Sequence, residues 1–310
     1  MTRRPDSAGV AAAMERIGAI LPPTPLLPLD EGWLKCESLQ PIGAFKIRGA
    51  YNRLIQLDAE ERAGGAVAFS SGNHAQGVAW AARRLGMRAA IVMPADAPQV
   101  KLDATRTLGA EVVLYDRATE DRFAIAHALA AERGAVLVPP FDDADVIEGQ
   151  GTAGLEAAAQ SALPITRVVT PCGGGGLAAG LALALPDAEI VVVEPEGWDD
   201  MARSLAAGEI MTVGPNPPRT ACDALQPLRV GDLTFATLHA AGARGVAVSE
   251  NEVRDAMRHA FGMGLVIEPG GAVALAATLA GKVPLDAGTV VIASGGNVDP
   301  ILMADVLRGL

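Results

Sequence analysis

The stretch Arg167-Val168-Val169-Thr170-Pro171-Cys172-Gly173-Gly174-Gly175-Gly176 joins a short apolar run to four successive glycines, and the segment that follows is rich in Ala and Leu. A strand, a loop and a helix in this order are typical of the repeating units of parallel sheets. The four glycines leave backbone N–H groups uncovered at the positive end of a helix dipole, which suits a phosphate group. The stretch therefore predicts an α/β fold with an anion-binding loop.

The same alternation of apolar runs and amphipathic stretches extends along the chain from about residue 66. Apolar runs predict strands at 66–69, 89–93, 111–115, 136–138, 167–170, 190–193, 245–248 and 289–293. Amphipathic stretches predict helices at 75–85, 100–108, 121–133, 152–160, 177–185, 250–261 and 271–279. Several helices are followed by a glycine, at Gly86, Gly109 and Gly134, where a left-handed residue is expected. This order predicts a mostly parallel sheet covered on both faces.

Composition narrows the class of protein. The 310 residues include 25 Lys and Arg against 36 Asp and Glu, which gives a net charge of −11. This acidic balance argues against nucleic acid as the main ligand. No stretch approaches the roughly 20 apolar residues of a membrane helix, and no signal peptide is recognisable. Three scattered cysteines, at positions 36, 172 and 222, are too few for a disulfide framework, so we expect a cytoplasmic protein without a membrane partner.

The glycine loop alone leaves two classes of ligand open. Gly173, Gly175 and Ala178 also match the spacing of dinucleotide-binding loops. Glu194 ends the next predicted strand, about 20 residues on, where a ribose-binding acid is expected. A nicotinamide-dependent dehydrogenase is therefore an alternative to an enzyme that uses another phosphate-bearing cofactor.

The segment Glu37-Ser38-Leu39-Gln40-Pro41-Ile42-Gly43-Ala44-Phe45-Lys46-Ile47-Arg48-Gly49-Ala50 distinguishes these alternatives. A lysine between Phe45 and Ile47 commonly extends its ammonium group to solvent. If Lys46 is instead partly desolvated, the pKa of its ammonium group falls and the amine becomes a nucleophile. Three further strings accompany this segment: Ser70-Ser71-Gly72-Asn73-His74, the glycine loop, and Ser294-Gly295-Gly296-Asn297. Together they resemble the fold-type II pyridoxal-phosphate enzymes, and within them the serine/threonine dehydratase and serine racemase family. The resemblance runs from about Thr24 to Asn297, and it includes Phe141-Asp142-Asp143, Gly149-Gln150-Gly151-Thr152 and Glu268-Pro269-Gly270-Gly271-Ala272.

This resemblance implies a tryptophan synthase β-like architecture of two three-layer α/β domains with mostly parallel, twisted sheets. Residues 1–56 and 142–310 would form a large cofactor-binding domain, and residues 57–141 a small mobile domain. No C-terminal regulatory domain is expected, and the resemblance implies a homodimer.

The resemblance also implies roles for individual residues. Lys46 would form the Schiff base with pyridoxal phosphate and act as the base on one face of the substrate Cα. The remaining cofactor contacts would come from Phe45, Asn73, Gly173, Gly174, Gly175, Gly176, Glu268 and Ser294, with Asn73 at the ring 3′-oxygen and Ser294 at the pyridine nitrogen. The substrate carboxylate would be held by Ser70, Ser71, Gly72 and His74. Ser71 also matches the acid/base that racemases use on the opposite face. By their residue types alone, His74 could instead cap a helix and Ser294 could be a turn residue.

The implied position of Ser294 favours one type of reaction. A neutral hydroxyl at the ring nitrogen makes the cofactor a moderate electron sink, which suits β-elimination better than transamination. We therefore expect a small amino-acid substrate, L-threonine or L-serine, that is dehydrated and deaminated to a 2-oxo acid and ammonia. A serine racemase or a 3-hydroxyaspartate dehydratase is the alternative. Near the active-site entrance, Cys222-Asp223-Ala224 replaces the Ala-Asp-Gly of many dehydratases, which leaves the substrate preference open.

An acidic segment, Glu194-Pro195-Glu196-Gly197-Trp198-Asp199-Asp200, follows a predicted strand. Such a segment is either a solvated loop or a source of oxygen ligands for a hard cation. The resemblance implies a site for Mg²⁺, Ca²⁺ or Mn²⁺ made by the side chains of Glu194 and Asp200 and the backbone carbonyl of Trp198.

Overall fold

The structure is a computed structural model that describes residues 3–70, 72–97 and 99–310. The α-helices are α1 (Ser7–Ile17), α2 (Lys46–Ile55), α3 (Ala59–Gly64), α4 (Asn73–Arg84), α5 (Gln99–Thr107), α6 (Arg122–Arg133), α7 (Ala144–Gln160), α8 (Gly176–Ala184), α9 (Asp200–Ala207), α10 (Asp232–Ala240), α11 (Glu250–Gly262), α12 (Pro269–Leu279) and α13 (Pro300–Arg308). The strands are β1 (Leu26–Pro28), β2 (Trp33–Cys36), β3 (Ala66–Phe69), β4 (Ala89–Pro94), β5 (Glu111–Tyr115), β6 (Val136–Leu137), β7 (Arg167–Pro171), β8 (Glu189–Pro195), β9 (Arg244–Val248) and β10 (Thr289–Ala293). Short 3₁₀ turns cover Glu37–Leu39 and Asp223–Leu225.

These strands form two sheets. One has the order β1-β2-β10-β7-β8-β9 and the other the order β5-β4-β3-β6. The pairings within the described residues are parallel, apart from the antiparallel pair of β1 and β2. The predicted α/β fold with mostly parallel sheets is therefore confirmed.

The two sheets use different parts of the chain. The four-stranded sheet takes its strands from residues 66–137, whereas the six-stranded sheet uses residues 26–36 and 167–293. One sheet is thus inserted in sequence between two parts of the other. The domain boundaries at residues 57 and 141 stay a prediction.

Helix α7 begins at Ala144, eight residues before the predicted start. The Asp143 carboxylate caps it by accepting a hydrogen bond from the Val146 amide. Several glycines hide this helix in the sequence, because glycine is a poor helix former. They are needed for packing: a Cβ at Gly149 would lie 2.7 Å from the Gly49 Cα, and one at Gly151 would lie 2.5 Å from the Gly180 carbonyl oxygen.

The predicted helix ends are confirmed, because Gly86, Gly109 and Gly134 have φ angles of 68°, 90° and 61°. Ala, Val, Leu and Ile side chains dominate the cores between the sheets and the helices. Over the described residues, no helix has both the length and the apolar character that crossing a membrane requires.

A buried cluster of ions fixes the first turn of α2. The Arg48 guanidinium donates to Glu37 at 2.7 Å and to Glu156 at 2.7 Å, and the Lys35 ammonium donates to Glu156 at 2.9 Å. All four side chains are buried, and their two positive and two negative charges balance. Because α2 starts at Lys46, this cluster holds the helix end that carries the predicted catalytic lysine.

Candidate active site

Lys46 lies at the first position of α2, partly buried between the two sheets. Its ammonium group donates to the Pro140 carbonyl oxygen at 2.7 Å and lies 5.1 Å from the centre of the Phe45 ring. Burial lowers the pKa of Lys46 to about 8. A substantial fraction of this amine is therefore neutral near physiological pH, as a nucleophilic lysine requires.

The segment Val138–Phe141, which follows β6, connects Lys46 with two other parts of the site. The Val138 carbonyl oxygen lies 2.9 Å from Nε2 of His74, and the Pro140 carbonyl binds Lys46. The Phe141 ring lies against the glycine loop: a Cβ on Gly174 would approach its Cδ1 to 2.2 Å. Residues from three separate sequence motifs thus meet around four consecutive residues.

The glycine loop forms a cradle of uncovered amides. Gly175 has a φ angle of +92°, which a residue with a side chain rarely adopts, and it caps the N-terminus of α8. In the described part of the chain, the amides of residues 173–176 donate to no other protein group. The Gly174 carbonyl is held instead by the Thr234 hydroxyl at 2.7 Å. Four N–H groups at the positive end of a helix are therefore available to an anion.

A second helix N-terminus contributes to the site. Helix α4 begins at Asn73 after Gly72, and among the described residues no side-chain hydrogen bond caps it. The Gly72 amide donates to the Ser70 hydroxyl at 3.1 Å. His74 is buried, and since a carbonyl oxygen faces its Nε2, that nitrogen carries the proton. Its Nδ1 has no hydrogen-bond partner among the described residues.

Burial and the neighbouring Lys46 ammonium lower the pKa of His74 to about 3, so the ring is neutral at physiological pH. Ser71, predicted to bind substrate and to act as the second acid/base, lies outside the described residues.

Asn73 is fixed by contacts on both sides of its amide. Its Nδ2 donates to Glu268 at 2.5 Å, and its Oδ1 accepts from Nδ2 of Asn297 at 2.7 Å. Burial, together with the nearby Asp223 carboxylate, raises the pKa of Glu268 to about 7. These contacts bring three of the predicted motifs together and leave one N–H of the Asn73 amide free to meet a ligand.

Ser294 follows β10 directly and is buried. Its carbonyl oxygen accepts from the Phe45 amide at 3.1 Å, so it lies beside the residue that precedes Lys46. Its hydroxyl makes no hydrogen bond within the described residues. Among the described residues, Ser294 is therefore held by its backbone, and its hydroxyl is not used in a turn.

The acidic segment lies at the end of β8. Both carboxylate oxygens of Glu194 accept backbone N–H groups of α9, from Met201 at 3.0 Å and from Ala202 at 2.8 Å. Burial and the neighbouring Asp200 raise the pKa of Glu194 well above its usual range, and burial raises the pKa of Asp200 to about 6. One buried oxygen of Asp200, Oδ2, has no partner in the described part of the chain. No group of three or more His, Cys, Asp or Glu residues with metal-binding geometry occurs among the described residues.

Some contacts at the site were not predicted from the sequence. Pro140, Thr234 and Asn297 hold Lys46, the glycine loop and Asn73, respectively. Asn297 and Phe141 belong to strings that were already recognised, so the sequence contained a signal for them. Thr234 lies in an ordinary helix and gave none.

Comparison with known proteins agrees with this geometry. A family model described as "Pyridoxal-phosphate dependent enzyme" (PALP) matches residues 19–295. The chain is 43% identical to an L-threo-3-hydroxyaspartate ammonia-lyase of Pseudomonas sp over 283 residues, which cover 89% of this chain and 88% of the relative. It is 38% identical to a serine racemase of Schizosaccharomyces pombe, over 95% of both chains.

A solved structure of a threonine deaminase from T.th. superposes with a TM-score of 0.87 and 41% sequence identity. The superposition covers 95% of this chain and 99% of that one. Similarity therefore extends over nearly the whole chain and over the fold.

Proposed function

Since the chain belongs to the family of pyridoxal-phosphate dependent enzymes, we propose that it is an ammonia-lyase acting on a small β-hydroxy amino acid. The observation that carries the proposal is the meeting of the Lys46 amine, the uncovered glycine amides and the His74 ring around residues 138–141. L-Threonine or L-serine is the proposed substrate, which yields a 2-oxo acid and ammonia. Family membership also favours pyridoxal phosphate over a dinucleotide as the ligand of the glycine loop.

The residues present fit pyridoxal phosphate. The glycine cradle accepts no Cβ at Gly174 or Gly175, since Phe141, Met201 and Thr234 would be approached to within 3 Å. Its free amides would hold the phosphate. The free N–H of Asn73 and the unengaged hydroxyl of Ser294 would meet polar atoms of the ring, and Lys46 would supply the amine that binds it covalently.

The proposed reaction divides the work among these groups. The cofactor, when bound, supplies an electron sink next to the substrate Cα. The Lys46 amine, neutral above a pKa of about 8, can take a proton from that carbon and return one to the departing hydroxyl. The neutral His74 ring adds no positive charge to the site, and Glu268 fixes the Asn73 amide.

The N-terminus of α4 would hold the substrate carboxylate. No side chain of residues 3–70, 72–97 or 99–310 caps its first-turn amides, which point away from the helix at its positive end. Nearby, the Ser70 hydroxyl already contacts the Gly72 amide, so this loop can place several donors around one anion. Ser71 would complete this set and serve as the acid/base on the opposite face.

Two other substrates are supported by specific similarities. The 43% identity to an enzyme named for L-threo-3-hydroxyaspartate supports that compound as a substrate. The 38% identity to a serine racemase supports racemisation as a side activity, with Ser71 as the second acid/base. Assays of 2-oxo acid release from each hydroxy amino acid, with chiral analysis of recovered serine, rank these reactions.

The experiment that tests the function is reduction of the cofactor-loaded protein with borohydride, followed by mass analysis of its peptides. We expect the label on Lys46, and we expect Lys46→Ala to lose both the label and all 2-oxo acid release. The control, Lys282→Ala, changes an exposed lysine that is paired with Glu252, and should keep both. A label on another lysine, or turnover by Lys46→Ala, would refute the assignment. So would a protein that binds NAD and takes up no pyridoxal phosphate.

We also propose that Glu194, Asp200 and the Trp198 carbonyl hold Mg²⁺, Ca²⁺ or Mn²⁺. The buried Oδ2 of Asp200, which has no partner among the described residues, supports the proposal. A cation there would stabilise the charged forms of Asp200 and Glu194, which burial disfavours. The ion would stabilise the connection between β8 and the start of α9 and would take no part in the reaction. EDTA treatment should lower thermal stability, and Mg²⁺, Ca²⁺ or Mn²⁺ should restore it. Neither EDTA nor added cation should change the thermal stability of the variant Asp200→Asn. If neither treatment changes the thermal stability of the wild-type protein, the ion is excluded.

We further propose a cytoplasmic homodimer. The three cysteines are unpaired and buried, which suits a reducing compartment. Leu39, Val266 and Ile301 are large apolar side chains exposed on the surface, and a second copy could cover them. Sedimentation of the purified protein tests the dimer, and a monomer at micromolar concentration would contradict it.

A further inference from the structure

An ion pair connects two parts of the molecule, which we call the four-stranded unit (residues 66–137) and the six-stranded unit (residues 26–36 and 167–293) after their sheets. Lys101 lies on α5, and its ammonium group contacts the Asp223 carboxylate 122 residues further along the chain. Helix α5 packs with α4 and β5, on the side of the four-stranded sheet. Asp223 begins the 3₁₀ turn Asp223–Leu225, on the side of the six-stranded sheet.

The turn at Asp223–Leu225 lies directly against the cofactor-binding elements. A Cβ on Gly173 would lie 3.3 Å from the Ala224 carbonyl oxygen, so the turn touches the glycine loop. On its other side, a Cβ on Gly270 would lie 3.4 Å from the Ala224 Cβ, at the start of α12. Any displacement of this turn therefore reaches the loop that would hold the cofactor phosphate.

Both members of the pair lie within electrostatic range of the site. The charge of Asp223 raises the pKa of the Glu268 carboxyl, and the charge of Lys101 lowers it. Glu268 in turn accepts from Asn73 at 2.5 Å. The pair thus lies close to a group that contacts both units.

The exposure of the pair suits a contact that forms and breaks. The side chains of Lys101 and Asp223 are 25% and 55% exposed. Ion pairs in contact with water contribute little free energy and are screened by salt. Such a pair makes one arrangement of the two units more stable by a small free energy, so that the other arrangement stays accessible.

We propose that Lys101 and Asp223 are positioning residues that form a latch, which favours closure of the four-stranded unit over the cofactor site. This proposal rests on the proposed function, since closure matters only if the site between the units is the active site. When the latch is formed, the Asp223–Leu225 turn stays against the glycine loop and the substrate is shielded from water. When it breaks, substrate can enter and product can leave.

The test compares Lys101→Glu, Asp223→Lys and the double variant that exchanges the two charges, each loaded with pyridoxal phosphate. Amide hydrogen exchange is followed in peptides that cover residues 99–107 and 222–226. This readout requires no turnover, so it decides the latch even if the proposed reaction is wrong. The matched control is Arg106→Glu, which breaks a pair within α5 between Arg106 and Asp103.

We expect each single variant to exchange about two- to fivefold faster in both peptides, the range that follows from loss of one exposed ion pair. The charge-exchanged double variant should return to near the wild-type rate, and the control should leave residues 222–226 unchanged. In wild type, raising NaCl from about 0.05 to about 1 M should have the effect of a single variant.

Kinetics provides a second readout on whichever hydroxy amino acid is turned over. The single variants should raise KM about two- to fivefold and leave kcat unchanged or higher, because opening becomes easier. Unchanged exchange in the single variants would overturn the latch. Failure of the double variant to recover would also overturn it, because the two charges would then not act by pairing with each other.

Discussion

At the scale of single residues, burial sets the charge state of the candidate site. It lowers the pKa of Lys46 to about 8 and that of His74 to about 3, and it raises the pKa of Glu268 to about 7. In each case the low-dielectric surroundings favour the neutral form. The His74 ring is therefore neutral, whereas Lys46 and Glu268 titrate close to physiological pH, in a site that offers uncovered amides to anions.

The Glu268 carboxyl gives a residue-scale prediction about pH. Its pKa is about 7 in the folded protein against 4.5 ordinarily, so the folded state binds more protons between these values. Stability from this group is therefore present below pH 4.5 and is lost as pH rises toward 7. The variant Glu268→Gln lacks this loss, and its carbonyl oxygen can still accept from Asn73.

Urea unfolding of cofactor-free protein at pH 5 and pH 8 measures this difference. As the pH rises from 5 to 8, the wild-type protein should lose about 2–3 kcal/mol more unfolding free energy than Glu268→Gln does. The control is Glu196→Gln, which changes an exposed carboxylate and should show the same pH dependence of unfolding free energy as wild type. An equal difference at both pH values would show that the Glu268 carboxyl does not titrate in this window.

At the scale of elements, the proposed site depends on two helices whose N-termini have no capping side chain in the part of the chain that the structure describes. Both α4 and α8 begin at glycine-containing loops that follow parallel strands, β3 and β7. An uncapped N-terminus leaves amide groups without partners, which is tolerated where a ligand can bind them. The free amides at the starts of α4 and α8 are therefore the groups that we propose to bind anions.

The close contact between the glycine loop and Phe141 gives an element-scale prediction. In Gly174→Ala the new methyl group would meet the Phe141 ring at 2.2 Å, so the ring and the neighbouring Pro140 must move. Because Pro140 holds Lys46, we expect pyridoxal phosphate affinity to fall about tenfold or more, as overpacking of this size costs about 1–3 kcal/mol. Spectroscopic titration with the cofactor measures this.

The control for this change is Gly262→Ala, at a helical glycine where an added Cβ meets nothing within 4 Å. It should leave affinity unchanged and stability equal or higher. Wild-type affinity in Gly174→Ala would mean that the loop shifts without disturbing the cofactor site.

At the scale of the whole molecule, the buried ion cluster links distant parts of the chain. It joins β2 of the six-stranded sheet, the start of α2, and α7, which lies between the two sheets in sequence. Buried pairs contribute little net stability relative to apolar packing, but removal of one partner leaves an uncompensated charge. The cluster therefore makes the position of Lys46 sensitive to every one of its members.

The variant Glu156→Gln tests this at the level of global stability. It leaves Arg48 paired with Glu37, and it leaves Lys35 without a carboxylate partner among the described residues. We therefore expect a loss of about 3–5 kcal/mol in urea unfolding. Glu189→Gln is the matched control, because Glu189 also contacts two cations, Arg167 and Arg244, but near the surface. It should lose about 1 kcal/mol or less. Equal losses would show that burial of the cluster carries no special cost.

The sequence by itself determined the elements with strong local periodicity and the residues with distinctive chemistry. The strands at 66–69, 111–115 and 289–293 have the predicted bounds, because a short run of β-branched or small apolar residues is itself a local signal for a strand. The glycine loop and Lys46 were recognisable because four glycines, or a lysine within an apolar string, are unusual residue patterns. The roles of individual residues stay predictions until they are tested.

Only the tertiary structure decided which groups meet. Lys46 and Pro140 are 94 residues apart, Lys101 and Asp223 are 122 apart, and Asn73 and Asn297 are 224 apart. The early start of α7 was also decided by tertiary structure. Its glycines lower the helix propensity of the segment, but they allow close packing against α2 and α8. Periodicity reports only on residues within a few turns, whereas these contacts, and the pKa shifts that follow from them, depend on burial by distant segments of the chain.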